Sequence, residues 1–184
     1  VGTGALDSGS ITANFGAIDI GTSTVTAGSF LAGAADGVGN IGAVGATFNT
    51  VHAKSTSAQY ADLAENYSAD ADSTPGTVVM FGGDHEVTEC GDDHCAKVAG
   101  VVSTNAAYVM NSAHEAEHVV TVALTGRVPT RVVGTVAKGD MMVSAGNGCA
   151  RAEANPAMGT VIGKALEAHE GDAEGVIEVV VGRM

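Results

Sequence analysis

Written one above the other, Gly76–Ser103 and Gly139–Leu166 align without a gap, and this self-similarity limits the possible folds more than any other feature of the chain. Gly76 falls on Gly139, Val78-Val79 on Met141-Met142, and Gly83 on Gly146. The register continues through Val87 on Ala150 and Val98-Ala99-Gly100 on Val161-Ile162-Gly163. Each copy reads as strand, glycine turn, strand, loop, strand. Paired glycines mark places where the backbone is expected to need a positive φ. An internal duplication is the natural expectation, with units at about 76–103 and 139–166. Thr74-Pro75-Gly76 opens the first copy with the residues of a type II turn, a strand follows over Thr77–Phe81, and Gly82-Gly83-Asp84 turns it back into Glu86-Val87-Thr88. The longest strand candidates, Val119–Leu124, Arg127–Val133 and Val176–Val181, lie between and after the copies. Two strand-rich copies with linking strands predict a closed or nearly closed barrel in a head covering residues 74–184, since closure removes sheet edges.

Upstream of the head the polypeptide changes character at Ser57–Tyr67, Ser-Ala-Gln-Tyr-Ala-Asp-Leu-Ala-Glu-Asn-Tyr. Tyr60, Leu63, Ala64 and Tyr67 stand at i, i+3, i+4 and i+7, the apolar stripe of about two helical turns, with Asp62 and Glu65 off that stripe. The spacing predicts a short helix within a seam spanning residues 54–73.

Residues 1–53 are rich in Gly, Ala, Ser and Thr and carry only short β-like pieces: Ser10–Ala13, Phe15–Ile20 and Thr24–Leu31. Large core side chains are scarce: the whole chain is 45% hydrophobic but only 4% aromatic, with 26 glycines among 184 residues. These first residues hold too few bulky groups to bury a core of their own. In a single chain Ile11, Phe15, Ile18, Ile20, Val25, Phe30 and Leu31 would stand in water. Three chains wound about a common axis cover them most simply, which predicts a thin, Gly-rich, intertwined β stalk. The recurrence of Ile and Phe argues against a disordered linker, whose composition is poor in both.

Asp36-Gly37-Val38-Gly39-Asn40-Ile41-Gly42, then Phe48-Asn49-Thr50-Val51-His52-Ala53, then Ser57–Glu65, resemble in that order a phrase of phage tail fibres and spikes just ahead of a C-terminal chaperone-like domain. From about Gly37 to its end the chain is similar to the C-terminal module of virion fibre and neck-appendage proteins, the intramolecular chaperones called peptidase G2. That resemblance implies a virion location, a homotrimer, other virion proteins and a host receptor as partners, and a head that promotes trimer assembly. It also implies, as an alternative, self-cleavage near the seam, with Asp62 and Glu65 as the catalytic acidic groups and the susceptible bond before Ser57 or Ala58. This chain departs from that pattern: Gln59 stands where an acidic residue is common, and Asp62 replaces a glutamate. A carboxylate can act as general acid or base once burial moves its pKa towards the working pH, and a trimer interface could supply the burial. The competing reading is a helical turn whose carboxylates face solvent or cap neighbouring backbone, so whether the chain is an enzyme is left open.

Charge excludes several other classes. With 21 acidic against 8 basic residues and a net charge of -13, the chain lacks the clustered Lys and Arg that nucleic acid requires. No apolar run approaches a membrane span, and no basic segment followed by an apolar one suggests a signal peptide. A chain opening on Val1 rather than Met is expected of a piece of something longer, or of trimming or processing. No P-loop, dinucleotide fingerprint or Ser-His-Asp order is present, and no cofactor is expected. A glycosidase needs paired carboxylates flanking a groove, which a thin stalk does not offer.

Two constellations could mimic metal sites. His114-Glu115-Ala116-Glu117-His118 matches the zinc-protease pattern H-E-x-x-H, which needs both histidines on one helix. Here His118 runs straight into the β-type run from Val119, so a polar loop leading into a strand is expected and no metal is assigned. His85, Cys90, His94 and Cys95 cluster around Gly91-Asp92-Asp93, which reads as a hairpin tip. Free or surface thiols, a Cys90–Cys95 disulfide, and zinc all stay open there. Cys149 reads as a small buried side chain, and an odd count of three cysteines leaves one thiol over.

Overall fold

The computed structural model describes residues 19–30, 40–43, 45–53 and 57–182. The chain divides into two compact units, Val1–Lys54 and Ser55–Met184. In the first unit the described residues form a single β bridge, Ala43–Ala46, and leave Val25, Phe30, Ile41, Phe48 and Val51 exposed. The strand pieces read at 10–13 and 15–18, and Leu31, lie outside the described residues. The piece read from Thr24 makes no ladder among the described residues.

The second unit is all β. Its strands are β1 (Asp62–Ser68), β2 (Val78–Phe81), β3 (Val87–Glu89), β4 (Val98–Val102), β5 (Tyr108–Met110), β6 (Val119–Val132), β7 (Met141–Gly146), β8 (Cys149–Ala152), β9 (Val161–Ala165) and β10 (Gly175–Val181). Among the described residues there is no helix, and so none long and apolar enough to cross a membrane.

Five strands close on themselves. The circuit runs β6–β10–β9–β7–β8 and returns to β6 through the parallel pair Val132–Ala150. Strand alternation fills it: Ile177, Val179 and Val181 of β10 are buried, whereas Val176 and Val180 are exposed. Met142, Val128 and Ile162 complete the packing.

A second circuit runs β1–β6–β4–β2–β3, and the parallel Ala69–Val87 bridge brings β3 back to the end of β1. Val79, Val87, Ala99, Val102 and Val122 form its core. The two circuits share β6, whose first half pairs β1 and whose second half pairs β10. Their registers match residue for residue at the spacing read from the sequence. Val79–Glu89 and Phe81–Val87 in one have Met142–Ala152 and Ser144–Ala150 as counterparts in the other. The irregularity at Val79/Met80 recurs at Met142/Val143.

The seam helix expected within 54–73 does not form; Asp62–Ser68 is a strand with β6 on one side and the short β5 on the other. A register shift between Leu63 and Ala64 breaks the two-residue alternation, so the apolar residues fall by accident at helical spacing. The strands read separately at Val119–Leu124 and Arg127–Val133 are one, because Gly126, at φ 116°, lets a single strand pass from one circuit into the other.

The paired glycines divide into two kinds. Gly76 and Gly139 (φ 88° and 95°) and Gly83 and Gly146 (φ 89° and 81°) have the positive φ expected of them. Gly100 and Gly163 do not; each lies where a Cβ would overlap a carbonyl oxygen of the neighbouring strand, of Ala123 and Val180 respectively.

Candidate functional site: the cleft at the seam

Asp62 begins β1 and is 5% exposed, so its carboxyl group needs a partner to offset lost hydration. The loop after β4 supplies it. Ser103 Oγ donates to Asp62 Oδ2 at 2.6 Å, and farther along the same loop the Ala107 N–H donates to the Asp62 carbonyl at 2.9 Å. From the other side, Gly126 brings β6 so close that a Cβ there would overlap the Ala61 carbonyl oxygen and lie 2.6 Å from Asp62 Cα. The Arg127 N–H donates to that Ala61 carbonyl at 3.4 Å. Asp62 is therefore gripped on both flanks by backbone.

Over it opens a cleft of ≈ 340 Å³, lined among others by Gln59, Tyr60, Ser103, Asn105, Arg127 and Glu178. Glu65, the other carboxylate singled out from the sequence, has a partner of its own: Tyr67 Oη donates to its Oε2 at 2.7 Å, two residues on and on the same strand face. Asp62 and Glu65 are thus held by separate groups, and Glu65 does not line the cleft. Ser103 and Arg127 were not singled out from the sequence. The available signal was the polar run Ser103-Thr104-Asn105 directly after Val101-Val102.

Ser103→Ala is expected to cost the head about 1–3 kcal/mol, because it leaves a buried carboxyl group without its donor. The Asp62→Ala/Ser103→Ala double variant should lose less than the sum of the single changes. Urea denaturation of the four proteins measures both; strict additivity would show that the 2.6 Å contact carries no coupling.

The other polar clusters are built differently. Residues 90–97 connect β3 to β4 and are not a hairpin tip, since β3 and β4 both pair with β2 rather than with each other. This connection docks on β7: Asp93 bridges Ala145, the His94 N–H donates to the Ser144 carbonyl, and the Cys95 N–H donates to Ser144 Oγ at 2.8 Å. Cys90, Cys95 and Cys149 are free thiols, and all three are buried rather than at the surface. Burial pushes the Cys90 thiol up to about 11 and moves Cys149 in the same direction.

Residues 114–118 form no helix. His114 Nε2 lies 3.6 Å from Glu86 Oε2, and His118 Nδ1 lies 2.9 Å from Asp72 Oδ1, so each histidine faces its own carboxylate. Among the described residues no group of three or more His, Cys, Asp or Glu side chains is placed to hold a metal ion.

Arg151, on β8, ties the docked connection down. Its Nε and Nη2 grip both oxygens of Asp93 at 2.8 and 3.1 Å, and its Nη1 reaches Glu153 at 3.1 Å. The guanidinium holds the Asp93 carboxyl down at about 2, and the Asn155 N–H, with Arg151 and His94, holds Glu153 at about 2. Both are depressed in the folded state, so their stabilisation is present above the ordinary carboxylate range. It is lost as pH falls from about 4.5 towards 2. Asp70, Glu86 and Glu174 are shifted the same way. The thermal midpoint should fall steeply across that window, and less steeply in Arg151→Met; equal slopes would contradict the assignment.

A scan against protein-family models matches none, and a search of curated proteins finds no matching relative.

Proposed function

We propose that the chain is the distal part of a phage fibre or surface appendage, a virion structural protein that works as a homotrimer. Its C-terminal head promotes trimer assembly and presents a surface to a host receptor. The observation that carries this reading is the contrast between the two units. Phe30 and Ile41 are 75% and 85% exposed in the first, whereas the second closes its own core. Apolar groups left in water by one chain are covered by further copies of it. Intertwined strands close many nonlocal contacts at high entropic cost, so a head that folds first and sets the register removes that barrier. The phage-fibre phrase through Asn40–Gly42, Phe48–Ala53 and the seam supports the same assignment.

The head itself reads as a tandem duplication around the shared strand β6, supported by common registers, a common irregularity and matched turn glycines. Light scattering of the native protein, with its intact mass under denaturing conditions, tests the assembly. Full-length subunits in a particle of three times their mass are expected; a monodisperse monomer would sink the reading.

A second reading is favoured by one contact, the buried Asp62–Ser103 pair beside the seam backbone. It makes the head a self-cleaving chaperone of the peptidase G2 type, with Asp62 and Glu65 as the acidic groups. Fragments breaking between about His52 and Tyr67, abolished by Asp62→Asn or Glu65→Gln, would establish it; an uncut chain would remove it.

A further inference from the structure

The two circuits provide an internal control for what the fold itself requires. Ser103 and Leu166 follow equivalent strands, β4 and β9, and make the same backbone bond: the Ser103 N–H donates to the Thr121 carbonyl and the Leu166 N–H to the Glu178 carbonyl, each at 2.8 Å. At this place one circuit carries a hydroxyl holding a buried carboxyl group, and the other carries leucine. The hydroxyl and Asp62 are therefore not a requirement of the strand arrangement, although burying a carboxyl group is costly. That cost is understandable if the pair serves the cleft above it.

The chemistry of the cleft narrows the ligand. At ≈ 340 Å³ it stands near the low end of small-molecule sites, room for one ring rather than an extended chain. Among its lining residues, Gln59 and Asn105 have amides able to donate and accept, Arg127 has a donor group and Glu178 an acceptor. Asp62 spends Oδ2 on Ser103, and its Oδ1 has no donor among the described residues. Tyr60, 48% exposed, offers a flat apolar face. Two carboxyl groups against one guanidinium disfavour a phosphate or an acidic sugar. A mixed set of donors and acceptors around one aromatic face matches a ring whose hydroxyls donate and accept while its C–H face is apolar.

We propose that this cleft is a carbohydrate site that takes a single uncharged hexopyranose unit of a surface glycan. Tyr60 stacks on the sugar ring, and Asp62, positioned by Ser103, accepts from a ring hydroxyl. The proposal rests on the receptor-contacting part of the function above for its setting, and not on trimer formation.

The test is saturation-transfer NMR on the full chain with methyl glycosides of glucose, galactose, mannose and N-acetylglucosamine, and with N-acetylneuraminic acid as the charged comparison. At least one neutral glycoside is expected to receive saturation. Tyr60→Ala and Asp62→Asn should each weaken it about tenfold or more. Tyr60→Ala changes a half-exposed side chain and Asp62→Asn keeps an acceptor for Ser103, so both should retain the wild-type circular dichroism. Transfer to no neutral glycoside, transfer to the charged sugar alone, or neutral binding indifferent to both changes would overturn the proposal. Adsorption of the same protein to host cells separates the two ideas. Neutral-sugar binding without adsorption upholds the site and removes the receptor role, whereas adsorption without sugar binding does the reverse.

Discussion

Gly163→Ala is expected to destabilise the head by roughly 3 kcal/mol or more, the upper part of the range for overpacking a filled site. Gly163 pairs with Val181 where β9 meets β10, and its missing side chain is what lets the strands lie so close. A Cβ would overlap the Val180 carbonyl oxygen and sit 2.8 Å from its carbon and 2.9 Å from Val181 Cα. All three are backbone atoms, so no rotamer change relieves the overlap. β10 is also paired to β6 along seven residues, so it cannot swing aside without disturbing a closed circuit. Against a typical domain stability of about 5–15 kcal/mol, this is a large fraction. The equivalent Gly100→Ala should cost less: one of its close contacts is Val122 Cγ1 at 2.8 Å, a side-chain atom that can turn away. Urea midpoints of the two variants measure the difference, and a Gly163→Ala midpoint equal to wild type would mean that β9 and β10 do not approach as described.

Met142→Ala is the second large effect, expected at about 2–5 kcal/mol. Met142 is fully buried and is the largest of the fully buried side chains, in a head whose core is otherwise mostly Val and Ala. Neighbours this small, fixed on paired strands, cannot reach across to refill the space, so most of the cavity should persist. Met142→Leu conserves volume and should cost less than about 1.5 kcal/mol. Chemical denaturation distinguishes the two: alanine should lower the midpoint far more than leucine at similar slope. Similar losses would show that shape, rather than volume, limits this position.

Much of the head was legible because its determinants are local. Thr74-Pro75-Gly76 makes its turn through the φ preferences of its own residues, with the Thr77 N–H donating to the Thr74 carbonyl at 3.2 Å. Strands β2, β3 and β10 stand within a residue or so of where alternation and glycine punctuation put them. The seam was misread because periodicity assumes an unbroken strand, and the shift at Leu63/Ala64 removes that condition. Gly91-Asp92-Asp93 reads as a hairpin tip from its own residues, but the connection docks on β7, about fifty residues further on, which no local signal announces.

By itself, then, the sequence determined a β-rich head, its turns and the glycines that recur in both copies, since each depends on the preferences of nearby residues. Only the tertiary structure decided that the seam is a strand, that Gly100 and Gly163 are there for closeness rather than for φ, and that Asp62 belongs with Ser103 instead of Glu65. Those outcomes depend on which strand lies alongside, and a one-residue change of pairing would reverse them.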